Sequence, residues 1–464
     1  MSLKVENLAN IKSAEINLKP LTIFVGKNNT NKSYLAHVVY MVHKILYEST
    51  SFLGIKKISF SDKFIDELFK KYISLDILDI EEQFDRRGKR NSKGYKDIYI
   101  QLQFIQKPEE ILKQFLVNIK DSFSKEVRRG FRSKKINNFR IDFNINFNEI
   151  NLKGIKAPKI KTNVVDKQFL IGFIFRHLMK SLRNKVIFEP FYFPASRTGF
   201  VLAFDDIVSG IFRERYGGQA TTRLTEPTID FLSYFARIKT GDFMDIDIYI
   251  DEESSAKQEK SIKDLIVFME ENLLIGEIWQ DKNTREFLFH PKGTRGRKTI
   301  EMHLTSSCVT ELLPVYLFLK NFSQISNKLI IIEEPEAHLH PTNQLMMADL
   351  ITMIVNAGGK VLITTHSDYI VSRINNNIKR FCLSEKEDRN FLDPTKVSAY
   401  LFKRAKDKVD VYELPVDKQG ISMENFEEVI SELLEESSLL DVKLEAEVEQ
   451  RKGRKNKKRT KENI

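Results

Sequence analysis

The chain has 464 residues, 42% of them hydrophobic and 30% charged, with a net charge of +10. That length and composition fit two or three domains of an ordinary soluble protein, each with a sizeable core. No apolar run reaches the ~18 residues of a membrane span, and two cysteines without CxxC spacing, Cys308 and Cys382, argue against a disulfide framework or a zinc site.

The charge is uneven. Residues 451–461, RKGRKNKKRTK, hold eight Lys or Arg and no acid; the +10 less these eight leaves +2 for the rest. Such a tail fits contact with DNA, RNA or another polyanion, and equally a solvated disordered end. The N-terminus, MSLKVENLANIKS, has no apolar signal core, so a cytoplasmic address is expected.

In chain order, LKVENLANIKSAEINL alternates like paired strands and PLTIFV reads as a buried strand. Gly26, Lys27, Asn28, Asn29, Thr30, Asn31, Lys32 and Ser33 follow it directly. Tyr34 then opens a helical pattern with Leu35, Val38, Val39 and Val42 on one face. Strand, glycine-opened loop and helix are the context of a phosphate-binding loop, G-x-x-x-x-G-K-[ST]. Its amides would cradle phosphates, Lys32 would reach the terminal phosphates, and Ser33 would ligate Mg²⁺. Asn31 stands where glycine is usual. Asparagine is among the best substitutes at positive φ.

Residues 50–185 are rich in Lys, Phe, Ile and Asn, with basic clusters at 86–96 and 125–135. The clusters fit a solvated face or a nucleic-acid surface. The stretch 140–152, RIDFNINFNEINL, alternates like a strand, and VIFEPFYFPASRTGF (186–200) is an apolar strand ending at Pro194 and Arg197. Residues 200–275 look mainly helical, 276–304 read as a strand meander, and 305–322 as a small polar turn opening a helix. Lys328–Pro341, KLIIIEEPEAHLHP, is a buried strand delivering Glu333 and Glu334 to its tip. A helix follows it, and then KVLITTHS (360–367), a second buried strand ending in His366. Further short strands are expected in 378–415, and a charged helix near the end.

A carboxylate at a strand end can hold Mg²⁺, and its neighbour can polarise an attacking water. Glu333 takes the first role and Glu334 the second; His366 could contact the γ-phosphate. The strings TSSCVTELLP, LIIIEEPEAHLHP and LITTHSDYI, after an N-terminal phosphate loop, resemble the ABC-type ATPases of the RecF, SMC and OLD group, in the AAA15/AAA21-like branch. The Pro-Ala-Ser-Arg at 194–197 also resembles an element of that branch.

The resemblance implies an α/β fold: an ABC-type P-loop ATPase head, a mixed β-sheet with flanking helices, carrying a large α+β insertion. Its parts would be 1–45 (first part of the head), 46–185 (variable insertion), 186–200 (head strand), 201–275 (helical subdomain), 276–415 (second part), 416–448 (C-terminal helix) and 449–464 (disordered basic tail). ATP and Mg²⁺ are the implied cofactors. Glu334 would be the catalytic base and His366 the switch histidine; Glu336–His340 would form the loop after the acids. Thr305, Ser306 and Ser307 would be the signature turn that caps the ATP of another subunit, with Cys308 replacing its usual glycine. A head-to-tail homodimer or higher homo-oligomer follows.

Fewer than 100 residues follow His366, which is too short for the TOPRIM nuclease of OLD-type relatives, so a nuclease is expected in a separate protein. Stand-alone heads of this branch, the PARIS-type anti-phage ATPases among them, partner a separate effector, a TOPRIM-type or other nuclease or toxin. The resemblance thus implies a sensor and scaffold that answers a phage trigger protein. A RecF-like DNA-repair ATPase, and a slow or inactive nucleotide-gated platform suggested by Asn31 and Cys308, are the alternatives.

Overall fold

The computed structural model describes residues 1–49, 60–82, 96–132, 139–145, 159–162, 167–183, 185–207, 224–241, 252–293, 298–322, 324–383, 390–422 and 435–440. The chain opens with the hairpin β1 (Ser2–Leu8) and β2 (Ile11–Asn17), then β3 (Leu21–Gly26) and helix α1 (Lys32–Glu48). Next come α2 (Asp62–Lys71), β4 (Ile73–Glu82), β5 (Lys96–Phe104), α3 (Pro108–Gly130), β6 (Arg140–Asn144), β7 (Lys159–Thr162) and α4 (Lys167–Leu182). Strand β8 (Glu189–Phe193) leads to α5 (Arg197–Leu202), α6 (Glu226–Thr240) and α7 (Glu252–Phe268). A meander of β9 (Gly276–Gln280), β10 (Phe287–Pro291) and β11 (Ile300–Glu301) precedes α8 (Ser307–Asn321). The last stretch holds β12 (Lys328–Glu333), α9 (Pro341–Asn356), β13 (Lys360–Thr365), α10 (Asp368–Leu383), β14 (Val397–Ala405), β15 (Lys408–Leu414), β16 (Val416–Asp417) and β17 (Gly420–Ile421).

Nine strands form one mixed sheet in the order β6-β1-β2-β15-β14-β3-β13-β12-β8. From β14 to β8 all neighbours run parallel. The β1–β2, β1–β6 and β14–β15 pairs are antiparallel. Parallel strands covered on both faces need apolar side chains on both, which is why β3 and β12 read as unbroken runs. The two faces still alternate: Leu329 and Ile331 enter one core with α1, α3 and α4, while Ile330 and Ile332 enter a second with α6, α8, α9 and α10.

The register aligns the strand tips. Val25 pairs Thr365, Thr364 pairs Glu333, and Ile332 pairs Phe193. The carboxyl ends of four adjacent parallel strands therefore open onto one rim, where ligands of open α/β sheets sit. At the edge, the Glu189 amide donates to the Asn327 carbonyl oxygen at 3.0 Å, so the position of Pro190 points outward. Proline has no N–H to present there, and the edge is blunted.

The segment 46–185 is not a separate body. Its β6 pairs with β1, and Phe115, Phe123, Phe175 and Met179 share the core of α1. Two expectations need correction. Residues 416–421 form the β16–β17 hairpin rather than the start of a helix: Asn375 grips it, its Nδ2 donating to the Ile421 carbonyl (2.9 Å) and its Oδ1 accepting from the Ile421 amide (2.7 Å). Residues 378–383 are the end of α10, whose apolar face carries Ile370, Val371, Ile374 and Ile378 into the core. The basic residues 86–95 and 133–135, the tail 449–464 and most of the charged segment after 422 lie outside the described residues; 435–440 is helical.

Candidate active site

The loop between β3 and α1 is built by backbone conformations. Gly26 has φ +146°, and a Cβ there would overlap the Phe402 carbonyl oxygen of β14. Asn29 (φ 61°) and Asn31 (φ 64°, ψ 23°) both sit in the left-handed region, where asparagine is tolerated better than most residues. Left-handed residues alternating with ordinary ones are the backbone pattern of anion-binding concavities, and here the pattern leads into a 17-residue helix. Buried Thr30 closes the turn through its hydroxyl to the Lys27 carbonyl at 2.8 Å.

Lys32 is 5% exposed. Its Nζ donates to the carbonyls of Gly26 (2.9 Å) and Lys27 (3.0 Å) and lies 3.5 Å from His366 Nδ1. Burial pulls its ammonium down to about 8, against the opposing field of Glu334, Glu336 and Glu333. Tyr34 packs its ring on Phe131 of the insertion, 6.1 Å between centroids, so what it offers the loop is its backbone amide.

At the tip of β12 the two acids diverge. Glu333 is buried; its Oε2 accepts from the Ala195 amide at 3.1 Å, and its Oε1 has no hydrogen-bond partner. The Tyr192 hydroxyl faces the same carboxylate, and burial, then the charge of Glu333, raise it well above its ordinary range. Glu334 takes φ 43°, which swings its side chain out of the strand into the half-open rim. Its amide is tied to the Thr364 carbonyl at 2.8 Å. Its Oε1 lies 3.5 Å from His366 Nε2, and the hydrogen bond to His366 holds this carboxyl below the usual range. The Glu336 Oε1 accepts the His366 amide at 2.6 Å, fixing the histidine at the end of β13. Burial raises Glu336 itself.

Behind the acids stands Arg197, 1% exposed. Its Nη1 donates to the Glu333 carbonyl (2.7 Å) and the Pro194 carbonyl (3.2 Å), and its Nη2 to the Glu334 carbonyl (3.3 Å). Its Nε reaches the Glu311 carbonyl at 3.3 Å, and Nη2 pairs with Glu311 Oε1 at 2.6 Å. Thr198 donates to the other oxygen of Glu311. Burial lowers the guanidinium and raises the Glu311 carboxyl, each opposed by the other's charge.

The structure thus brings Lys32, His366, Glu334 and Glu336 together, with Glu333 buried at the same tip. It does not bring in Thr305, Ser306 and Ser307. The Thr305 hydroxyl bonds the Met302 carbonyl (2.7 Å) and contacts Thr310, while Ser306 and Ser307 are exposed at the start of α8. Among the described residues no hydrogen bond joins this turn to the Gly26–Ser33 loop. Cys308 Sγ accepts from Asn343 Nδ2 at 3.6 Å, tying the starts of α8 and α9 together. Sequence reasoning gave Arg197 no role and missed Glu311. One signal was present: Glu311 is the lone charge in the apolar run of α8.

No cluster of three or more His, Cys, Asp and Glu among the described residues is arranged for a metal. Mg²⁺ asks for less from protein, one or two oxygens beside phosphates and waters. The Ser33 hydroxyl and the unpaired Glu333 Oε1 are such donors, so the residues present fit the ion.

Residues 237–371, from the end of α6 to the start of α10, match a family model described as an AAA ATPase domain. A search of curated proteins finds no match. Among solved structures, the chain is similar to an SMC head bound to the C-terminal winged-helix domain of ScpA. The identity is 14%, with 90% of this chain and 98% of that chain covered, at a TM-score of 0.35. An SMC head with an extended coiled coil, bound to the C-terminal domain of ScpA derived from Pyrococcus furiosus, gives 12% identity, 93% and 98% coverage and a TM-score of 0.33. The SMC head domain from Thermotoga maritima gives 9%, 89% and 98%, and 0.31.

Proposed function

We propose that the chain binds ATP with Mg²⁺ and hydrolyses it at this rim. The carrying observation is the chain of contacts from Lys32 through His366 to Glu334, groups from the start of α1 and from the tips of β13 and β12, held within 3.5 Å of one another in turn. The loop amides and Lys32 receive phosphate oxygens; Ser33 and Glu333 hold the ion. Glu334, ionised and half-exposed, takes a proton from the attacking water. His366 orients that carboxylate and stands beside the terminal phosphate. Bound Mg²⁺ supplies charge neutralisation at the transferring phosphoryl group. The test is steady-state ATPase of wild type, Lys32→Ala and Glu334→Gln, with nucleotide binding measured separately. Loss of binding in Lys32→Ala and loss of turnover with binding kept in Glu334→Gln support the reading; absence of turnover in wild type rules it out.

Two copies close the site head to tail in this reading, each presenting Thr305–Ser307 to the other's nucleotide. Support comes from Ser306 and Ser307, exposed at the N-terminus of a 15-residue helix, where amides and hydroxyls suit phosphate. Sedimentation of Glu334→Gln with and without ATP checks it; a monomer under both conditions refutes it.

The finer role is that of a sensor and scaffold in anti-phage defence, controlling a separate effector through nucleotide state. It rests on the EEPEAHLHP string and its resemblance. Co-purification with the product of a neighbouring gene, and phage plating with and without Glu334→Gln, decide it. The RecF-like alternative gains little from the described part of the insertion. Arg129 pairs with Glu126, Arg132 with Glu226, and Arg128 bonds the Phe139 carbonyl, so these cations are engaged within the chain.

A further inference from the structure

Arg197 belongs neither to the loop nor to the acids, yet it touches three elements at once. It lies at the start of α5, it donates to the main-chain carbonyls of both residues of the acid turn, and it holds α8 through the carbonyl and carboxylate of Glu311. Its charge and that of Glu311 are both out of water, 1% and 0% exposed. A buried ion pair of this kind, tied also through the Glu311 carbonyl, has few alternative geometries, because moving either partner leaves an unpaired charge in a low-dielectric interior. A displacement of α8 is therefore passed to the turn that places Glu333 and Glu334.

Helix α8 begins at the Ser306–Ser307 turn. In a head-to-tail pair that turn meets the nucleotide of the other copy, while the acid turn serves the copy's own nucleotide. We propose that the Arg197–Glu311 pair couples the two nucleotide sites: engagement of one copy's signature turn sets the acid turn of the same copy, so each site is positioned by the occupancy of the other. Arg197 is a positioning residue here, and the inference rests on the head-to-tail reading above.

The test is the ATP dependence of steady-state turnover for wild type, Glu311→Gln, Arg197→Lys and Thr198→Val, each checked for folding by its thermal transition. Thr198→Val removes only the hydroxyl donor to Glu311 and carries the test if the charged variants fail to fold. Wild type should show a Hill coefficient between 1 and 2, the number of sites. The variants should fall toward 1 with roughly tenfold lower kcat and ATP affinity of the dilute subunit unchanged. Folded variants that keep the wild-type Hill coefficient and kcat overturn the coupling, as does a wild-type coefficient of 1 at every protein concentration. Absence of wild-type turnover fails the ATPase reading instead, and the coupling with it.

Discussion

The Nζ of Lys32 donates at 2.9 Å to the carbonyl oxygen of Gly26, the residue that opens its own loop. With the Lys27 carbonyl as second acceptor, the ammonium is satisfied by backbone, and a phosphate must compete with both. Burial also leaves it titrating at about 8. In the proposed reading nucleotide binding needs the charged form, so affinity should be flat up to about pH 7 and fall as pH rises through 8. At pH 9 about a tenth of the free protein carries the proton, and ATP affinity should be roughly tenfold weaker than at pH 7. Calorimetric titration across that range checks it; a constant Kd from pH 7 to 9 removes Lys32 from phosphate binding.

Glu334 and His366 should separate by pH profile. His366 holds the Glu334 carboxyl below the usual carboxylate range, so the base of the proposed mechanism loses its proton at lower pH than a free carboxylate would. Glu334→Gln removes the base and should cost about 10²–10⁴ in kcat with ATP binding intact. His366→Ala keeps the base but withdraws the group that lowers it. The Glu334 carboxyl then rises toward its ordinary range, and the acid limb of the kcat profile should move to higher pH. An acid limb that stays in place would show that His366 does not tune Glu334.

What could be read from the residues was the chemistry carried on single strands. Leu329–Ile332 is buried on both faces, and such a run announces itself whatever surrounds it. The glycine-opened loop after β3 is equally local. What escaped was partnership across the chain. Strand β6 is five alternating residues, and nothing in RIDFN names β1, more than 130 residues earlier, as its partner. Arg197 looked like a polar residue ending a strand, and its burial depends on Glu311, 114 positions away. The hairpin at 416–421 was hidden because it is held by a side chain of α10 rather than by a pattern of its own.

Backbone conformation makes opposite demands at the two ends of the loop. Gly26 (φ +146°) faces the Phe402 carbonyl with no room for a Cβ, so Gly26→Ala should destabilise by about 2–5 kcal/mol through strain and overlap together. Asn31 sits at φ 64°, which glycine adopts as readily. Asn31→Gly should stay within about 1 kcal/mol of wild type, and Asn31→Ala should lose about 1 kcal/mol. Urea unfolding midpoints rank the three. If Asn31→Ala proves as stable as Asn31→Gly, the left-handed conformation at 31 is not what the residue supplies.

The Arg197–Glu311 pair should show its burial as non-additivity. Arg197→Met alone strands the Glu311 carboxylate at 0% exposure, and leaving one buried charge without its partner costs about 3–5 kcal/mol. Glu311→Leu alone strands the guanidinium at similar cost. Arg197→Met with Glu311→Leu removes both charges and leaves apolar groups on α5 and α8, which already send Val201 and Leu312 into one core. The carbonyls of Glu333 and Glu334 still lose their donors, so the double variant should not recover fully. It should nevertheless be more stable than the sum of the single losses by at least about 1.5 kcal/mol, within the range measured for residues sharing a network. A double-mutant cycle in urea reads that difference directly. Additive losses would mean that the two charges do not stabilise one another, and that α8 and the acid turn are joined by packing alone.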